Sequence, residues 1–222
     1  LIIYIKFPLK NLKVRDFLLL DFSPIFKYPL TTVKIGIYGG SFNPVHLGHL
    51  TVADAACRFA QLDRLFWVPT ACSPFKDANE MASGILRLSW LKLALKEREN
   101  YFVDDQEIVR GGVSYTIDTV RSYVRKFPDS KFFYLIGMDN LTLLPKWKSA
   151  LELAHLVEFI VVSRPSQSCV RLPDPFRVRV LNHVHVPISS SEIRQNIRDG
   201  KLIQGSVSPC VFDAIISSGA YQ

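Results

Sequence analysis

The residues best suited to chemistry lie in one string, Gly39–Leu50, which reads GGSFNPVHLGHL. It leaves a short apolar run, Lys34–Tyr38 (KIGIY), and passes into a segment with helical spacing of Leu50, Ala53, Cys57 and Ala60. Gly39 and Gly40 allow a sharp backbone turn and close approach to a ligand. The helix that follows presents free N–H groups at its start, a setting that favours an anion. His46 and His49 lie three residues apart at that start, so both imidazoles can point at one phosphate chain and donate to its oxygens. Neither G-x-G-x-x-G nor G-x-x-x-x-G-K-[ST] occurs, so the dinucleotide fingerprint and the P-loop do not compete.

Other stretches carry weaker signals. In Ile188–Arg194 (ISSSEIR), Ser189 and Glu192 have capping-box spacing. Ser189, Ser190 and Ser191 offer hydroxyls and N–H groups together, and Arg194 can pair with phosphate. Ser114–Thr119 (SYTIDT) opens a helix, Gly137-Met138-Asp139 closes a strand, and Trp147 sits in PKWKS. Taken alone, these are a well-capped helix, a helix N-cap at Asp139 and a core tryptophan. Lys76 ends PTACSPFK, and Arg164-Pro165 follows a strand.

Together the blocks resemble a known pattern. GGSFNPVHLGHL resembles the H-x-G-H signature of the nucleotidylyltransferase superfamily, a feature also shared with class I aminoacyl-tRNA synthetases. The resemblance implies that His46 and His49 contact ATP phosphates and the transition state, with Gly39, Gly40, Ser41 and Phe42 lining the same pocket. ISSSEIR resembles the second ATP motif, I-S-S-T-x-x-R, with Ser191 in place of Thr; Ser190, Ser191 and Arg194 would hold the β- and γ-phosphates, with Ser189 in the same ATP site. The middle blocks resemble the nicotinate-nucleotide adenylyltransferases. By that resemblance Ser114, Tyr115 and Thr116 meet the acceptor nucleotide, whose nicotinate carboxylate suits a helix N-terminus. Gly137 and Asp139 contact the nucleotide, Trp147 stacks on the pyridine ring, and Arg164 lies near adenine. Lys76 would meet a phosphate.

Two departures stand out. Ser73 and Phe75 replace a proline and a histidine of the usual P-x-x-x-P-P-H-K, and Phe75 can neither donate nor titrate. Asn43, a substrate-side position, stands where many members have Asp; both residues form Asx-turns. The implied reaction transfers AMP from ATP, with Mg²⁺ carried by the triphosphate and no dedicated protein ligand, to nicotinate mononucleotide. A sister transferase acting on nicotinamide mononucleotide, phosphopantetheine or an alcohol phosphate remains open, as does a nucleotide-binding regulator without turnover. No K-M-S-K-S block supports a synthetase.

To bring such residues together the chain needs alternating strands and helices. Strands are expected at 34–38, 64–68, 101–104, 106–109, 131–136 and 156–163, with strand-like alternation over 177–186. Helices are expected at 48–60, 84–97, 115–127, 190–199 and 209–217. This order predicts an α/β, Rossmann-like, doubly wound and mostly parallel sheet with helices on both faces, and ligands at the carboxyl ends of its strands. Residues 34–222 form the expected domain and 1–33 an extension; residues 1–34 hold +4 of the +7 net charge. The remainder is only mildly basic, which calls for no nucleic-acid partner. No apolar run nears the ~20 residues of a membrane span. Cys57, Cys72, Cys169 and Cys210 form no C-x-x-C pair and read as reduced thiols, which suits the cytoplasm. His155, His183 and His185 match no motif. Oligomeric state is not readable from the sequence.

Overall fold

Three glycines in seven residues mark the first strand, β1 (Lys34–Gly40), as a place where other atoms come close. A Cβ on Gly36 would lie 2.6 and 2.7 Å from Cδ1 of Leu62 and Leu65. The computed structural model describes residues 32–73, 81–163, 172–182, 184 and 186–222. In it β1 is followed by α1 (Leu47–Ala60), β2 (Arg64–Pro69), α2 (Gly84–Leu95), β3 (Tyr101–Val103), α3 (Gln106–Arg110) and α4 (Thr116–Lys126). Then come β4 (Lys131–Gly137), α5 (Met138–Leu141), a 3₁₀ turn (Leu144–Lys146), α6 (Ala150–Leu156), β5 (Val157–Val162), β6 (Val178–Leu181), α7 (Ser190–Arg198) and α8 (Pro209–Ser218). The extension expected over 1–33 lies, up to residue 31, outside the described residues.

The six strands form one sheet in the order β3-β2-β1-β4-β5-β6, and every pair is parallel. Parallel strands require crossovers, and crossovers cover both faces. On one face Leu65, Trp67, Phe133, Leu135 and Ile160 pack with residues of α1, α2, α7 and α8. On the other Ile35, Ile37, Phe132, Tyr134 and Phe159 pack with α4, α5 and α6. Period-two alternation along β4 feeds both layers. Each large apolar side chain so buried contributes about 1.5–3 kcal/mol. The chain order reverses between β1 and β4. Their carboxyl ends part there and leave a crevice.

Two local expectations are corrected. Gln106–Val109, expected as strand, is the helix α3. Asp104 starts it by accepting the Gln106 N–H at 3.0 Å on Oδ1, and the inward Glu107 takes a hydroxyl donation from Thr119. Four residues of mixed polarity do not separate the two periodicities. The seven-residue helix α6 was not anticipated, and the strand expected from Leu156 starts at Val157.

Candidate active site

His46 ends the loop after β1 in extended backbone and is the N-cap of α1. Its Nδ1 accepts the backbone N–H of His49 at 3.3 Å, and its own N–H donates to His49 Nδ1 at 3.3 Å. This is a capping box made of two imidazoles, with ring centroids 3.7 Å apart. Because each Nδ1 is an acceptor, each neutral ring carries its proton on Nε2. The orphan N–H groups of the helix start thereby fix the tautomer of both rings. Burial lowers the His46 pKa to about 4, so at neutral pH it is an uncharged Nε2–H donor.

Gly48 sits between the histidines because nothing larger fits. A Cβ there would lie 2.9 Å from His46 Nδ1 and 3.0 Å from Cε1. The first two glycines of the string act differently from expectation. Gly39 and Gly40 belong to β1, and the left-handed turn is taken by Phe42, at φ 43°. A Cβ on Gly39 would lie 2.2 Å from the Tyr134 hydroxyl, and one on Gly40 would meet the Phe42 ring at 3.1 Å. Both glycines therefore make room for protein side chains. Phe42 is buried and packs edge-on against His49, centroid to centroid 5.1 Å. A bulky residue at positive φ is strained and persists where packing holds it.

Side chains from distant elements hold this loop. Ser190 Oγ donates to the Pro44 carbonyl at 2.9 Å, and Arg194 Nη1 to the Asn43 carbonyl at 3.0 Å. Ser189 caps α7 through its Oγ, which accepts the Glu192 N–H at 3.1 Å. Arg87 is buried and donates to three carbonyls, Ser41 at 2.7 Å, Thr70 at 2.8 Å and Ala82 at 2.9 Å. Asn43 Oδ1 accepts from the Ala82 N–H at 3.0 Å and the Tyr221 hydroxyl at 2.6 Å. The motif pattern does not include Arg87 or Tyr221. The one cue to Arg87 is a cation at an inward position of an apolar helix stripe.

A cavity of about 970 Å³ opens between the carboxyl ends of β1 and β4. Ser41, Asn43, His46, His49, Gly137, Ser189, Ser190, Ser191 and Arg194 line it, with apolar walls from Leu135, Ile136, Val162 and Ile188. Gly39, Gly40 and Phe42 stand behind it. Ser114, Tyr115, Thr116 and Trp147 group on the other face of the sheet. There Thr116 Oγ1 donates to the Tyr134 hydroxyl at 3.3 Å, and Trp147 meets the Tyr134 ring edge-on at 6.2 Å. The Trp147 indole N–H is buried without a hydrogen-bond partner. Ser114 Oγ accepts the Ala71 N–H at 3.0 Å, tying α4 to the loop after β2. The Tyr134 hydroxyl, seated against Gly39, joins this group to the end of β1. Gly137 is the N-cap of α5, and Asp139 is exposed in its first turn. Lys76, Phe75, Arg164, His183 and His185 lie outside the described residues. His155 is exposed on the outer side of α6, its Nδ1 2.7 Å from the Leu151 carbonyl oxygen.

Among the described residues no cluster of acids, histidines and cysteines has the grouping of a metal site. Among the described residues Glu192 is the one carboxylate on the cavity wall. The wall is instead rich in hydrogen-bond donors.

A doubly wound parallel sheet with paired imidazole donors and a serine-rich helix start at its switch point defines a nucleotide-handling α/β protein. The family model described as Cytidylyltransferase-like matches residues 37–196. A relative from Shouchella clausii named "Probable nicotinate-nucleotide adenylyltransferase" is 41% identical over 188 residues, 85% of this chain and 96% of its own. A relative of the same name from Synechococcus is 39% identical, covering 80% of this chain and 89% of its own. In fold the chain is similar to the Plasmodium falciparum nicotinic acid mononucleotide adenylyltransferase solved with NaAD, with a TM-score of 0.68 at 22% identity over 85% of this chain and 97% of that one. The chain belongs to the cytidylyltransferase-like family and, within it, to the nicotinate-nucleotide adenylyltransferases.

Proposed function

We propose that the protein transfers AMP from ATP to nicotinate mononucleotide, releasing pyrophosphate and forming nicotinate adenine dinucleotide. The observation that carries this reading is the meeting of the His46–His49 pair and the α7 N-terminus on one cavity at the sheet's switch point. The acceptor's phosphate monoester is mostly dianionic at neutral pH, its second pKa being about 6. It therefore attacks without a strong base. An oxygen of that phosphate bonds to the α-phosphorus while the bond to the bridging α–β oxygen breaks, and the electron pair leaves with pyrophosphate. No enzyme nucleophile is needed. The protein supplies alignment and stabilisation of developing charge.

His46 and His49 supply Nε2–H donors to the phosphoryl oxygens. The serines at the start of α7 and Arg194 supply hydroxyl, N–H and guanidinium donors to the β- and γ-phosphates. We assign Lys76 to a phosphate and Arg164 to the adenine side by resemblance. Ser114, Tyr115, Thr116, Asp139 and Trp147 are assigned to the acceptor. The buried, unpartnered indole N–H of Trp147 and the α4 N-terminus nearby suit a flat ring bearing a carboxylate. Magnesium enters as part of the MgATP substrate, where it neutralises triphosphate charge. Among the described residues no helix is long and apolar enough to cross a membrane, and the cytoplasm is the compartment we propose.

An acceptor panel tests the reading. The full chain with MgATP should release pyrophosphate with nicotinate mononucleotide and far less with nicotinamide mononucleotide or phosphopantetheine. Preference for either of the others would reassign the acceptor. ATP binding without pyrophosphate from any acceptor would make the protein a non-catalytic binder.

A further inference from the structure

We propose that Tyr221 is a positioning residue for the transfer reaction, holding the loop that carries His46 from a segment beyond α8. Its hydroxyl donates to Asn43 Oδ1 at 2.6 Å across 178 residues of sequence. The same Oδ1 accepts the Ala82 N–H, so one amide oxygen joins the signature loop, the approach to α2 and the segment after α8. Tyr221 stands at φ 70° with its ring 5.8 Å from that of the buried Trp90. The phenol is thus aimed by packing at both ends.

The loop has a reason to be held. Phe42 is in left-handed backbone, and relaxing it would swing the His46–His49 pair. The carbonyls of Ser41, Asn43 and Pro44 are each taken by a side chain of α2 or α7. Tyr221 supplies the matching restraint on the loop's own side chain. Arg87 and Arg194, which make two of those carbonyl bonds, also lie close enough to act on the Tyr221 hydroxyl electrostatically. No motif assigns Tyr221, and its effect on phosphate groups passes through Asn43.

The inference rests on the adenylyl-transfer reading for its kinetic readout only. Tyr221→Phe deletes one O–H and keeps the ring against Trp90. It should raise the KM for ATP about ten-fold, leave the acceptor KM unmoved and keep the thermal midpoint within about 3 °C. Asn43→Asp keeps an acceptor oxygen, and in that background Tyr221→Phe should retain its cost. Asn43→Ala removes the acceptor, and there Tyr221→Phe should add less than about two-fold. Unchanged kinetics in the single variant, or an equal cost in the Asn43→Ala background, would overturn the proposal. A fall in kcat that merely tracks the folded fraction seen in the melting curve would do the same, whereas a fall in kcat of the fully folded variant supports the proposal, because His46 acts on the transition state. If the wild-type protein turns over no acceptor, calorimetric MgATP affinity replaces KM in the same cycle, so the two ideas fail separately.

Discussion

Gly48→Ala isolates the histidine pair from the rest of the fold. The added methyl would lie 2.9 Å from His46 Nδ1, 3.0 Å from Cε1 and 3.6 Å from the Ile188 carbonyl oxygen. The imidazole must swing away, which breaks the 3.3 Å bond that its Nδ1 accepts from the His49 N–H. Losing such a cap costs about 0.5–2 kcal/mol, whereas Ala in place of Gly within a helix gains at most about 1 kcal/mol. The two terms largely cancel. The thermal midpoint should move by no more than about 2–4 °C, as a net change near 1 kcal/mol does for a domain of this size. Activity should respond quite differently. A donor displaced by about 1 Å, or lost outright, costs about 10²-fold or more in turnover. Pyrophosphate release measured beside a melting curve separates the outcomes. Near-normal turnover in a folded Gly48→Ala protein would refute the claim that His46 acts from its capping position. A fall in turnover that merely tracks the folded fraction would refute it equally.

Acid stability gives a second measurement. The His46 pKa is lowered from 6.5 to about 4, so the unfolded chain takes up this proton first as pH falls. The residue carries no penalty above about pH 6.5, and between there and pH 4 it withdraws up to about 3 kcal/mol. His46→Asn keeps a capping oxygen and removes the titration, so chemical denaturation from pH 7 to 5 should show a shallower decline by about 2 kcal/mol; parallel declines would contradict the assignment. Gly39→Ala drives a methyl to 2.2 Å from the Tyr134 hydroxyl and should lower the melting temperature. Adding Tyr134→Phe should recover part of that loss, and no recovery would place the strain elsewhere. Trp147→Ala should raise the KM of the acceptor more than that of ATP; equal rises in a steady-state titration would argue against its acceptor role.

The alternation of strands and helices was legible because buried parallel strands and amphipathic helices have different hydrophobic periods. The histidine string and the serine-rich helix start were legible as compact local patterns. The reasons behind individual residues were not. Gly39 is required by a hydroxyl 95 positions away, and Gly48 by the ring of a histidine two positions earlier. Phe42 takes the left-handed turn that the preceding glycines were expected to take, because three rings packed against it determine its setting. Arg87 reads as one cation in an apolar stripe until three carbonyls from separate segments meet it. Helix α3 was missed because its start is set by the side chain of Asp104, not by any apolar rhythm.

The reciprocal cap has a consequence for what the enzyme avoids. An imidazole beside an activated phosphoanhydride is ordinarily a competent nucleophile, and its attack would strand AMP on the protein as a phosphoramidate. Here the Nδ1 lone pair of each ring is engaged by a peptide N–H, which puts the ring hydrogen on Nε2. In the proposed reaction the rings steady the departing charge yet have no electron pair to offer phosphorus. Self-labelling at either histidine would first require the opening turn of α1 to come undone.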